Sequence, residues 1–199
     1  MDTEVLQKII VLKFFNLKFI IMKNLLIIFS LIFIGCKAQQ QIIPLETKGW
    51  PAEGSYRKDL NNDLDPYVGT WKGTFEGKTF MITFTKIKDY DTLGKYYKDR
   101  IKGRYKMLDT SGNQLYSTYN LPEEKAKVSS LGFVNSTKAK LRFYFSDLCI
   151  GGQIVLNFDN PQKTQMHYIY YTEQEMIVDD IGCAPYNEMP RGEFTLTKQ

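Results

Sequence analysis

From Trp71 to Met107 apolar and polar residues alternate with a period of two, a register that suits β-strands and little else. Trp71, Gly73 and Phe75 alternate with Lys72, Thr74 and Glu76. Past a turn at Gly77-Lys78, Phe80, Ile82 and Phe84 alternate with Thr79, Thr83 and Thr85. The spacing predicts a hairpin with one buried face. Residues 95–108 continue the pattern, with Tyr97, Ile101, Tyr105 and Met107 on one side and Lys98, Arg100, Lys102, Arg104 and Lys106 on the other. A turn over 109–113 leads into 115–119, and further strands are predicted over 141–148, 153–158, 166–172, 175–179 and 192–197. Only 122–127 reads as a helical turn, with Glu123 and Glu124 at its start, where acids suit the macrodipole. About nine strands, and no helix long enough for a βαβ crossover, predict an all-β antiparallel meander. Such a sheet hides its edges by rolling into a barrel or by closing into a sandwich.

One core is expected over residues 66–199. Ahead of it, residues 36–65 are poor in apolar residues and rich in turn formers, and read as a flexible linker. Residues 1–35 read as a targeting segment: a positive start at Met22-Lys23, an apolar run from Leu25 to Ile34, then the small residue Gly35. The run is too short to span a bilayer, and extending it back to Ile9 meets Lys13, Lys18 and Lys23. Met22 is therefore the expected start. An ordinary secretion signal cut after Ala38 is one reading of this segment.

The end of that run, Phe33-Ile34-Gly35-Cys36, resembles the lipobox of bacterial lipoproteins, with Phe33 where Leu is commoner. The resemblance implies acylation of the Cys36 thiol, and more than one acyl chain gives stable anchoring. Lys37 stands where an Asp would imply inner-membrane retention, so the same resemblance points to the outer membrane, and with no acidic run after Cys36 to suggest surface export a periplasm-facing orientation is expected. With Cys36 acylated, Cys149 and Cys183 remain in an oxidising compartment, where a disulfide between them would stabilise by about 3–4 kcal/mol. Two buried free thiols are the alternative. A metal is disfavoured, because the chain has one histidine.

Residues 1–35 hold four of the 26 basic and two of the 22 acidic residues, so their removal lowers the net charge from +4 to +2. A nucleic-acid partner is not expected at that balance.

Val68-Gly69-Thr70-Trp71 resembles the opening strand of lipocalin-like barrels, whose Gly-x-Trp lays an indole across the closed end. The resemblance maps Gly69 and Trp71 onto that motif and Arg191 onto the basic residue that packs over the indole. Signal, linker, Asp-Pro-Tyr-Val-Gly-Thr-Trp and meander together resemble uncharacterised lipoproteins of Gram-negative bacteria with lipocalin-like domains, a likeness that implies architecture and location and no activity.

Candidate chemistry is sparse. His167 lies in a predicted strand with Ile169 and Tyr171 on its face and no nucleophile in a catalytic context, so a structural role is expected. Asn61, Asp63 and Asp65 have the alternate spacing of a calcium loop, but Pro66 stands where that loop needs Gly. Asp179 and Asp180 are adjacent and point to opposite strand faces. The cations Lys98, Arg100, Lys102, Arg104 and Lys106 form either a solvent face, neutralised by Asp89, Asp91 or Asp159, or a docking strip for anionic groups. Aromatic clusters at 96–97, 143–145 and 168–171 exceed what one core face uses. The expectation is a non-enzymatic, lipid-anchored envelope protein without cofactor or metal. Its barrel would bind a small apolar or amphipathic molecule in its interior, or serve as an envelope accessory, or, alternatively, be fully packed and act as a structural or interaction module.

Overall fold

The computed structural model describes residues 13, 15, 17–26, 39–134, 136–147, 150–172 and 189–199. Two compact units divide the chain at Gln41 and Ile42. In the first, residues 17–26 are helical. Among the described residues no helix is long and apolar enough to cross a membrane.

The second unit is a closed antiparallel barrel of eight strands with three short strands added outside it. In chain order these are β1 (Ile42–Pro44), β2 (Tyr56–Lys58), β3 (Gly69–Phe75), β4 (Lys78–Asp91), β5 (Tyr96–Leu108), β6 (Gln114–Ser117), β7 (Val128–Phe133), β8 (Lys140–Asp147), β9 (Ile150–Phe158), β10 (Gln165–Thr172) and β11 (Glu193–Lys198). The ring runs β5-β4-β3-β11-β10-β9-β8-β7 and closes where β7 meets β5 again. The expected all-β meander is therefore present, in its barrel form. The helical turn expected over 122–127 is a 3-10 turn at Glu123–Lys125.

The period of two dictates the walls. Phe80, Ile82 and Phe84 of β4 and Ile101, Tyr105 and Met107 of β5 all point inward and are buried. The β3–β4 loop is Glu76-Gly77, one residue earlier than the sequence suggested, and both residues have positive φ (48° and 76°). Such a turn matches the right-handed twist of the strands it joins. Rings from opposite walls meet across the interior: Phe84 of β4 stacks on Phe143 of β8 at 4.9 Å, and Phe80 meets Tyr168 of β10 edge-on at 5.9 Å. At these levels the barrel is filled by side chains.

One end is closed by the 3-10 turn Asp65–Tyr67 and Trp71. The indole Nε1 donates to the Tyr67 carbonyl at 2.8 Å, and the Tyr67 ring packs on Phe158 at 4.5 Å. The cation over the indole is Lys198, its Nζ 5.2 Å from the ring centre, and not Arg191. The reason is register. β11 runs antiparallel to β3 and places Lys198 opposite Trp71, whereas Arg191 precedes β11 and is exposed. Gly69 makes the passage possible: a Cβ there would sit 3.1 Å from Lys198 Cε, and its φ of +121° favours glycine.

The segment read as a flexible linker is folded from Ile42 onward. β1 and β2 pair in parallel, and β2 adds in parallel to β5 at Tyr97 and Lys98. Two buried carboxylates tie it down. Asp99 accepts from the Tyr56 hydroxyl at 2.5 Å and the Asp59 N–H at 2.8 Å, while Asp59 accepts from the N–H groups of Asp63 and Leu64, each at 2.9 Å. Hydrogen bonds to carboxylates replace the apolar surface this stretch lacks.

Candidate functional site

The edge of β5 that faces away from β4 is shared by three short partners: β2 at one end, β7 at Lys102 and Gly103, and β6 from Lys106 to Leu108. Where these partners leave gaps, side chains take over the ladder. The Ser130 hydroxyl accepts from the Ile101 N–H at 2.9 Å, and the Thr118 hydroxyl accepts from the Tyr105 N–H at 2.8 Å. Beyond Ser130 the two strands diverge, and β7 changes register between Ser130 and Gly132.

That divergence opens a cleft of about 430 Å³. Its apolar lining includes Leu45, Leu64, Leu131, Phe133 and Leu141, and its charged lining is Glu46, Arg57, Lys98 and Asp99. The volume falls in the range of about 300–1,000 Å³ typical of small-molecule sites. The charges are not equally compensated. Glu46 lies 3.7 Å from Lys138 Nζ, and Asp99 holds the two hydrogen bonds already given. Among the described residues Lys98 Nζ donates only to the Leu131 carbonyl, at 3.2 Å. Arg57 reaches the Gly49 carbonyl and lies over the Tyr96 ring at 5.3 Å, but its Nε is buried without a hydrogen-bond partner. Burial, then Arg100 and Arg57, push the Lys98 ammonium down to about 8, while Asp91 pulls the other way.

The five-cation row is split by this arrangement. Arg100 binds Asp89 at 3.2 Å and Asp91 at 2.9 Å, Lys102 binds Asp89 at 3.1 Å, and Arg104 binds Glu123 at 3.4 Å. Lys106 lies over the Tyr119 ring at 5.7 Å. The side chains of Arg100 and Lys102 are only 16% and 12% exposed, so these cations pack along the outer wall against acids of β4. Lys98 alone of the five turns into the cleft. Asp159, also considered as a neutralising group, is exposed after β9, which does not adjoin β5.

The remaining candidates fall elsewhere. His167 Nε2 meets Glu193 at 3.1 Å on the outer face of β10 and β11. Asp63 is paired with Lys138 and Asp65 with Lys86, which uses both carboxylates of the suspected calcium loop. Among the described residues no cluster of His, Cys, Asp or Glu could hold a metal ion. Cys36, Cys149, Cys183, Asp179 and Asp180 lie outside the described residues. Sequence reasoning passed over Arg57, Ser130 and Leu131, because the cleft exists only once β2 and β7 have docked on β5. The one local signal was Lys98, the row's member nearest the strand's start.

The family described as "Family of unknown function (DUF6705)" matches residues 22–199. The chain belongs to DUF6705. No curated protein and no solved structure matches it. The DUF6705 region begins at Met22 and takes in the whole barrel, including β1 and β2.

Proposed function

We propose that this DUF6705 protein is a lipid-anchored envelope lipoprotein whose lipocalin-like barrel binds a small amphipathic molecule in the cleft between β5, β7 and the β1–β2 flap. The observation that carries the reading is the cleft itself, lined by leucines, Phe133 and two cations that among the described residues have no carboxylate partner. The anchor rests on Gly35-Cys36 after the apolar run, and the family region opening at Met22 is consistent with translation from that residue. Lys37 in place of an Asp supports an outer-membrane position, and the lack of an acidic run after Cys36 supports a periplasm-facing one.

Native mass spectrometry of the purified chain is expected to find a retained small molecule, and Leu131→Trp, which fills the cleft, is expected to release it while leaving the circular dichroism unchanged. Retention unaltered by Leu131→Trp would overturn the placement. Labelled palmitate is expected to enter the wild type and not Cys36→Ser.

A second reading, a protein-interaction module, is favoured by one feature. Trp50 and Leu93 are 80% and 90% exposed, and a Cβ on Gly94 would sit 2.9 Å from the Trp50 ring, so the two apolar side chains share the tip of the β4–β5 hairpin. Contiguous exposed apolar surface is a common mark of a partner site.

A further inference from the structure

We propose that the cleft takes its ligand by an anionic head, set between the Lys98 ammonium and the Arg57 guanidinium, with the ligand's apolar part lying along Leu45, Leu131 and Phe133. This rests on the cleft reading above and adds the chemical class of the ligand.

Among the described residues four charged side chains line the cleft, and the two acids already have partners: Glu46 shares Lys138 with Asp63, and Asp99 accepts from the Tyr56 hydroxyl and the Asp59 N–H. Among the described residues the two cations donate to carbonyl oxygens, Arg57 also lies over the Tyr96 ring, and neither has a carboxylate within ion-pair distance. Elsewhere on the same strand Arg100, Lys102 and Arg104 each have one. The four lining charges sum to zero, but a half-buried ammonium and a guanidinium with an orphaned Nε, neither of them ion-paired, leave two donors that an anion can reach without displacing a carboxylate. A carboxylate or a phosphate monoester fits it, since guanidinium binds either through paired N–H donors. A fully hydrophilic anion would leave the leucine wall uncovered, so an amphipathic one is assigned.

The assignment has a proton signature. Lys98 is faced by Arg57 from β2, Arg100 and Asp99 from β5, Asp91 from the end of β4 and Glu46 from the loop after β1; the β7 residues of the cleft are uncharged. An anion seated beside Lys98 opposes the repulsion from the two arginines, so above pH 8 binding should draw a proton onto Lys98.

The test is isothermal titration of the full chain with decanoate, decyl phosphate, decanol and inorganic phosphate, at pH 6.5 and pH 9, in buffers of differing ionisation enthalpy. Decanoate and decyl phosphate are expected to bind at least ten-fold tighter than decanol or inorganic phosphate, with proton uptake at pH 9 and little at pH 6.5. Lys98→Met and Arg57→Met should each weaken decanoate about ten-fold or more, whereas Lys98→Arg should keep the affinity and abolish the proton uptake, because arginine stays charged. If decanoate prevails and decyl phosphate does not, the head is a carboxylate; the converse assigns a phosphate. Decanol bound as tightly as decanoate would overturn the head-group assignment and leave the cleft reading standing. Binding of none of the four would overturn both. Proton uptake unchanged in Lys98→Arg would also sink the role given to Lys98.

Discussion

Lys198 shows how much a single position depends on its neighbours. Its stem crosses Gly69, its ammonium sits over Trp71, and the same Nζ donates to the Pro66 carbonyl at 3.1 Å, which ties the last strand to the turn that closes the barrel. Lys198→Met should cost about 1 kcal/mol in urea unfolding, the sum of a partly exposed cation–π contact and one hydrogen bond. Trp71→Ala, which removes a fully buried indole and orphans the Tyr67 carbonyl, should cost about 3–5 kcal/mol. Equal losses for the two would refute this ranking. The Gly-x-Trp pattern made Gly69 and Trp71 legible in the sequence. The cation was misplaced because its identity is fixed by the β11–β3 register, which no local pattern encodes.

Among the elements, β4 and β5 were the easiest to read, since their alternation runs unbroken through long strands with one buried face. β1, β2 and β7 were missed for three different reasons. β1 and β2 are three residues each, too short to display a period; they pair in parallel with each other, and β2 pairs in parallel with the distant β5. β7 carries Ser129, Ser130 and Gly132 with a register change among them, so its alternation is broken where its function in the cleft begins. The β3–β4 turn offers a sharp test. Glu76 holds φ 48° beside Gly77, a conformation that costs an ordinary side chain about 1 kcal/mol and that Asn adopts more readily. Glu76→Asn should therefore raise the unfolding free energy by about 0.5–1 kcal/mol, and Gly77→Ala should lower it by about 1–2 kcal/mol although only Thr110 lies nearby. A destabilised Glu76→Asn would show that the Glu side chain has a role beyond the turn.

At the scale of the whole molecule, the barrel followed from a meander that must dispose of its edges, while the cleft depended on which strands share the free edge of β5 and was invisible beforehand. The buried ionisable groups give the molecule a distinctive response to alkali. Lys98 is held near 8 in the native state, well below an unfolded lysine, so the unfolded chain binds more protons between about pH 8 and 10.5 and stability rises across that window, by about 2–3 kcal/mol at most. The phenols of Tyr56, Tyr67 and Tyr168 are all raised, chiefly by burial, so the stability they confer is present below pH 10 and is lost above it. Urea midpoints should thus climb from pH 8, pass a maximum near pH 10 and then fall, and Lys98→Met should flatten the climb without altering the fall. A monotonic decline from pH 8 in the wild type would contradict the burial of Lys98. The shared edge of β5 also bears on how this family can diversify in length. One residue gained or lost inside that strand would turn Ile101 and Tyr105 outward and disturb four pairings together, with β2, β4, β6 and β7. Family members of different length are therefore expected to differ in the connections at 109–113 and 159–164, and to keep the span from Tyr96 to Leu108 at constant size.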